Sequence, residues 1–276
     1  MRSTSAGGKA EGLQKLDFYD IALKLFSWAA FLFVLAPIII VVVVSFTSKE
    51  MISFPPKGFS LRWYYAFFTE PPWMENFKNS ILIATYSTLL STSIGTLAAL
   101  SLKGKTRDYP KINTVILLPM MIPGVILGIS LLMFSGKIGL YGTVWPVVLA
   151  HSLWGTPYVY MIVSSVLQGI DPALEDAARN LGAGPAKTFL LVTAPLIKTG
   201  IFVGALFAFI SSFGEFIMAL FLTTGKTTTL PVQIFTSLKY DISPVVAAVS
   251  TFFIILTILF VGTSVALTGI KTLRSH

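Results

Sequence analysis

Residues 168–200 read QGIDPALEDAARNLGAGPAKTFLLVTAPLIKTG. The stretch is too polar to cross a bilayer and too patterned to be a loose linker. Asp171 followed by Pro172 supplies an N-cap and a first-turn proline, Glu175 and Asp176 suit the positive end of a helix dipole, and Gly182 fits a left-handed stop. These signals predict a helix of about ten residues. Within it Leu174, Ala177, Ala178 and Leu181 fall at i, i+3, i+4 and i+7, so they form one narrow apolar stripe with small residues at its centre. A stripe of that shape suits docking into another protein's groove. After Gly184 and Pro185 a second helix begins and leads through Phe189 and Val192 to Pro195.

What flanks this segment is far more apolar. Of 276 residues, 54% are apolar and only 12% charged, about half the charge a soluble fold uses to cover its surface. A disordered chain, a collagen-like chain and an ordinary soluble enzyme are excluded, and a membrane solvent is implied. A bilayer core of ~30 Å takes about 20 apolar residues as a helix. Six runs of that kind occur, at Ile21–Phe46, Ile81–Leu102, Val115–Phe134, Val144–Leu167, Ile201–Leu222 and Val245–Leu267. The fold class is therefore all-α, a polytopic membrane protein with six transmembrane helices. The first run is too long for a cleaved signal peptide and reads as a retained anchor.

Charge gives the direction of threading. The +8 balance would suggest nucleic acid in a soluble protein, but in a membrane chain it marks cytoplasmic loops. With the N-terminus inside, thirteen of the twenty Lys and Arg lie on the cytoplasmic face, from Arg2 to Arg274. Lys103, Lys105, Arg107 and Lys111 crowd one short loop. The expectation is a membrane protein with both termini cytoplasmic: a tail over 1–20, an outer segment over 47–79, a membrane core over 80–270 that includes the cytoplasmic loop 168–198, and a short tail over 271–276. Lipid is a partner and nucleic acid is not.

The outer segment carries FSLRWYYAFF from Phe59 to Phe68. Its Trp63, Tyr64, Tyr65 and Trp73 read as an aromatic belt on an interfacial helix. Gly124 and Gly128, and Gly200, Gly204 and Ala208, recur every fourth residue and predict close helix contacts. Pro119, Pro123, Pro146 and Pro157 remove backbone donors in or near spans, which a membrane tolerates where neighbours or a cavity satisfy the freed carbonyls.

The loop also resembles a known family. DAARNLGAGPAKTFLLVTAP, Asp176 to Pro195, is similar to the "EAA" loop of type I ABC importer permeases, with Asp176, Ala177, Ala178, Gly182 and Pro195 at the family's positions. Asp176 stands where Glu is usual and Ala194 where Leu precedes the Pro. The resemblance extends from SLRWYYAFF at Ser60 through NSILIATYSTLLSTSIGTLAAL, LPMMIPGVILGISLL and GEFIMALFL to LPVQIFTSLKYDISPVVAAVST, ending at Thr251. It is similar to the spermidine/putrescine-type branch, whose relatives also import opines, phosphonates and other small solutes. It implies the type I importer transmembrane fold, a homologous second permease subunit, two cytoplasmic ATPase subunits, an extracytoplasmic solute-binding protein and a small solute. It makes the loop helix the coupling helix, with Leu174, Glu175, Asp176, Ala177, Ala178, Leu181 and Gly182 engaging the ATPase.

Chemistry within the chain is sparse. There is no cysteine, and histidine occurs only at 151 and 276, so no metal site, cofactor site or catalytic residue is expected. Gly225, Lys226 and Thr227 spell GKT, but Leu220 stands where a phosphate loop needs Gly, and Ala186 precedes Lys187 and Thr188. Ser164 and Ser165 have no readable base. Glu215 is the one acidic residue inside a predicted span, and such residues face a bundle interior or cavity. It either meets a cationic amine in the translocation path or bonds to a neighbouring helix. His151, near Trp154, either lines the same path or bonds to a backbone carbonyl. The rivals to a transport subunit are a polytopic membrane enzyme, which needs an acid, base or metal cluster, and a stand-alone secondary transporter, which is expected to show inverted repeats.

Overall fold

The computed structural model describes residues 6–104, 108–240 and 243–272, with side chains described over 19–104, 108–240 and 243–263. Lys105 and Arg107 of the basic loop, and the terminal residues Arg2, Arg274 and His276, lie outside the described residues. Twelve α-helices are present among the described residues, together with one π turn, and the chain divides into two units, 1–65 with 242–251 and 66–241 with 252–276.

The first unit holds α1 (Ala6–Val44), the irregular segment after it, the start of α2 (Arg62–Thr69) and the first turns of α12 (Val245–Thr272). α1 starts well before the predicted Ile21, while its membrane-length apolar part is Tyr19–Val44. The segment after α1 folds back on itself. Ser60 N–H donates to Phe46 O at 2.8 Å, and the Phe46 and Phe59 rings stack at 5.2 Å. Two of the belt aromatics turn their polar tips inward. Trp63 Nε1–H donates to Thr47 O at 2.8 Å, and the Tyr64 hydroxyl meets Ser45 Oγ at 2.6 Å. Tyr65 is exposed.

The second unit contains α3 (Trp73–Ser101), α4 (Pro110–Met121), α5 (Gly124–Lys137), α6 (Trp145–Gln168), α7 (Ala173–Asn180), α8 (Pro185–Thr188), the π turn Phe189–Thr193, α9 (Ala194–Gly214), α10 (Ile217–Leu222) and α11 (Leu230–Tyr240). Trp73, placed in the belt by sequence, is instead buried at the start of α3. Helices α3, α6 and α9 pack mutually, and small residues explain how. A Cβ on Gly95 would stand 2.8 Å from Val159 Cβ and 2.9 Å from Thr156 O, so α3 rests on the backbone of α6. A Cβ on Gly200 would stand 2.9 Å from Val166, and one on Gly204 3.3 Å from Val159, which seats α9 on the same helix. Ser87 and Ser91 use this proximity to donate to Val148 O and Ser152 O, each at 3.1 Å. Above and below this polar layer lie two apolar clusters, one around Ile83, Val147, Met218 and Leu222, the other around Val159, Val163, Leu167 and Ile197.

Two predicted spans are broken. Val115–Phe134 is not continuous: α4 and α5 meet at 95° across Ile122 and Pro123. Proline disfavours the helical region for the residue before it, and Ile122 accordingly sits at φ −84°, ψ 128°. Ile201–Leu222 is also wrong in its limits. The helix begins upstream, continuing from Pro185 through the π turn, and ends at Gly214, with Glu215 extended at φ −71°, ψ 125°. Among the described residues five helices are long and apolar enough to cross a membrane, or six counting the bent pair.

Candidate functional site

Two places gather the residues singled out by sequence. The first is α7. Asp171 Oδ1 accepts from Ala173 N–H at 2.9 Å as the N-cap reading requires, and Gly182 has φ +86° at the C-terminal stop. No residue of α7 is buried. Leu174, Asp176, Ala177, Leu181 and Gly182 are exposed, with Leu181 at 90%, while Glu175 and Ala178 turn partly toward the protein. The stripe therefore faces outward along Leu174, Ala177 and Leu181. Glu175 points the other way: its Oε1 accepts from Lys103 Nζ, just past the end of α3, and from the Thr193 hydroxyl in the π turn. Arg179 lies 3.9 Å from Glu175 and 3.5 Å from Asp176. The hydrogen bond from Lys103, then that from Thr193, holds the Glu175 carboxyl below its ordinary value of 4.5, against the opposing effect of partial burial.

The second place is the break after α9. Glu215 Oε1 accepts from Met218 N–H at 2.9 Å, and Oε2 from Ala219 N–H at 3.1 Å. The carboxylate thus caps the first turn of α10, satisfying donors that a continuing helix would have used internally. His151 of α6, only 2% exposed, places Nε2 3.2 Å from Glu215 Oε2 and Nδ1 2.8 Å from Ser212 Oγ. A carboxylate only accepts, so Nε2 carries the proton, and in the neutral ring Nδ1 accepts from the Ser212 hydroxyl. The backbone-carbonyl partner expected for His151 is replaced by two side chains. Trp154 does not join them: it packs against the apolar cluster around Val147 and Met218. Gly128, from the predicted small-residue pair, faces α10 on another side, where a Cβ would stand 3.3 Å from Met218 Cα.

Sequence reasoning brought out Glu175, Glu215 and His151 but missed Lys103, Thr193 and Ser212. Lys103 was read only as a topology signal. Ser212 carried a usable one, since a residue three before a carboxylate shares its helix face. Among the described residues no group of three His, Asp or Glu side chains could hold a metal ion.

Residues 91–268 match the family described as the binding-protein-dependent transport system inner membrane component. The chain is 32% identical over 230 residues to the putrescine transport system permease protein PotI of Escherichia coli K12, covering 80% of this chain and 81% of that protein. It is 29% identical over 244 residues to the spermidine/putrescine permease PotC of Haemophilus influenzae, covering 88% and 95%. Among solved structures, a chain of the bacterial alginate ABC transporter in complex with an alginate pentasaccharide-bound periplasmic protein superimposes with a TM-score of 0.72 at 17% identity, over 92% of this chain and 95% of that one. A chain of the inward-facing MetNI methionine ABC transporter gives 0.60 at 18% identity, over 70% and 93%. These likenesses support a transport subunit rather than an enzyme and a multi-pass place in the inner membrane. The chain belongs to the binding-protein-dependent inner-membrane component family and is the permease component of an ABC importer.

Proposed function

We propose that this permease imports a polyamine of the spermidine/putrescine type, or a related cationic or opine-like solute, delivered by an extracytoplasmic binding protein. It pairs with a homologous permease subunit and with two cytoplasmic ATPase subunits, its own termini lying in the cytoplasm. The observation that carries this reading is the exposed apolar stripe of α7, Leu174, Ala177 and Leu181, presented on a polar loop with the Asp176 carboxylate beside it. Such a face seats in a partner's groove. Nucleotide binding draws the two ATPases together, moves the paired α7 helices and turns the cavity between the permeases toward the outside; hydrolysis resets it. Glu215 and His151, at the break between α9 and α10, border the path, with the carboxylate as the group a cationic amine meets; Trp154, packed against the apolar cluster around Val147 and Met218, lines it further along. The names of the relatives PotI and PotC support the substrate class.

The test is co-purification followed by reconstitution. Tagged chain expressed with its partners brings down a soluble ATPase, and vesicles containing the complex accumulate labelled putrescine in an ATP- and binding-protein-dependent manner. Accumulation by the chain alone, driven by an ion gradient, contradicts the proposal.

A further inference from the structure

The coupling helix is weakly held by burial. None of its residues is buried, its apolar stripe faces outward, and it packs only on α8 and the π turn among the element contacts of any extent. Among the described residues, the side-chain hydrogen bonds that join α7 to other parts of the fold are those of Glu175, to Lys103 and to Thr193. A helix pushed on its outer face, with so little apolar contact behind it, would tilt in place unless polar bonds carried the push onward. We propose that Glu175, Lys103 and Thr193 form the latch that transmits motion of α7 to the transmembrane helices, Glu175 being a positioning residue for transport and not a contact for the ATPase. This inference rests on the docking reading above and adds a direction to it, since Asp176 faces the partner and Glu175 faces the membrane helices.

The geometry supports three separate features of a latch. Lys103 lies just past the last residue of α3, and α3 packs along both α6 and α9, so a pull at Lys103 reaches the packed trio through one rigid element. Thr193 lies in the π turn that runs without interruption into α9, the helix that ends at Gly214, immediately before Glu215. One carboxylate oxygen therefore serves two routes into the bundle. The surroundings are covered enough to keep the bonds directional, the Glu175 side chain being 15% exposed and that of Lys103 25%. By contrast the Asp176 side chain, 66% exposed, pairs among the described residues with Arg179 of its own helix.

The experiment compares wild type, Glu175→Gln, Lys103→Met, Thr193→Val and the exchange Lys103→Glu with Glu175→Lys, all in the full complex. The latch predicts that the single variants capture the ATPase as wild type does but that binding-protein-stimulated transport per ATP hydrolysed falls about fivefold or more, the low end of typical coupling between sites. The exchange regains most of the loss. Normal transport per ATP in Glu175→Gln and Lys103→Met, or an exchange no better than its single parents, overturns the latch. Amide hydrogen exchange on the membrane-embedded chain alone reads the contact without any partner: α7 exchanges about tenfold faster in Glu175→Gln if the bonds hold it, and unchanged exchange counts against the latch. Failure of the wild-type chain to capture an ATPase would overturn the docking reading while leaving that exchange result to decide whether Glu175 holds α7.

Discussion

Replacing Glu215 with Gln separates the cap that the side chain provides from the substrate contact proposed for it. The carboxylate accepts from the Met218 and Ala219 N–H groups and from His151 Nε2. A glutamine keeps one carbonyl oxygen, so it can cap Met218, but its amide nitrogen then faces the Ala219 N–H, donor against donor. Loss of a cap costs about 1 kcal/mol, and loss of a hydrogen bond to a charged acceptor about 1.5 to 3 kcal/mol. Since half the cap survives, a loss of about 2 kcal/mol in the purified protein is expected, read by thermal unfolding in detergent. The transport effect is of another kind. An amine 4 Å from a carboxylate at an effective dielectric of 20 gains about 4 kcal/mol, and desolvation of the amine returns much of it. Even 1.4 kcal/mol is about tenfold, so putrescine uptake by folded Glu215→Gln should fall at least about tenfold, whereas Glu215→Asp, which keeps the charge, should lose less. Wild-type uptake by a folded Glu215→Gln protein would remove the carboxylate from the path; unchanged unfolding would refute the cap.

Other perturbations follow from the same geometry. Gly95→Ala forces a Cβ to 2.8 Å from Val159 and 2.9 Å from the backbone oxygen of Thr156, an overpacking of about 1 to 3 kcal/mol, whereas Gly136→Ala, with open space around it, stabilises its helix by about 0.5 to 1 kcal/mol; equal melting temperatures for the two would refute the close α3–α6 packing. Gly182→Ala, at φ +86°, costs about 1 kcal/mol and should fray the end of α7, seen as faster amide exchange at Asn180 and Leu181. Ala177→Asp, on the outward stripe, should abolish ATPase capture with the chain still in the membrane, and it is a cleaner probe than Ala178, which turns partly inward; retained capture would argue against the docking face. For Glu175 the folded value is lowered, so its bonds contribute fully above 4.5 and are lost only as pH falls through the lowered folded value. The carboxyl carbon resonance should titrate below 4.5, and Lys103→Met should raise the midpoint.

Helix α7 was legible because its signals are local. Asp171, Pro172 and Gly182 stand within one helix length of each other, and each acts on its own backbone. The broken spans were not legible from apolar length, which counts residues and is blind to direction. Pro123 did carry the break, through its effect on Ile122. Glu215 carried the other, as a cap written into an apolar run where a carboxylate first suggests a path. What no local pattern could supply were the partners. Lys103 lies 72 residues from Glu175, and Ser212 lies 61 from His151.

Those long-range pairs matter for a physical reason. Between apolar helices in lipid there is no hydrophobic force to fix register, so close packing at small residues and polar ties must do so. Here the small residues Gly95, Gly200 and Gly204 bring α3 and α9 onto α6, and they constrain separation far more than sliding or tilt. The polar ties stand where that constraint ends: Glu175 of α7 with Lys103 and Thr193, and Glu215 with His151 at the foot of α10. α9 joins the two, entered through the π turn that holds Thr193 and left at the residue that caps α10. A displacement of α7 that reaches Thr193 therefore has a continuous helix along which to arrive at the break capped by Glu215, the residue proposed above to border the path, and the length of α9, not any local motif, sets how far the push must travel.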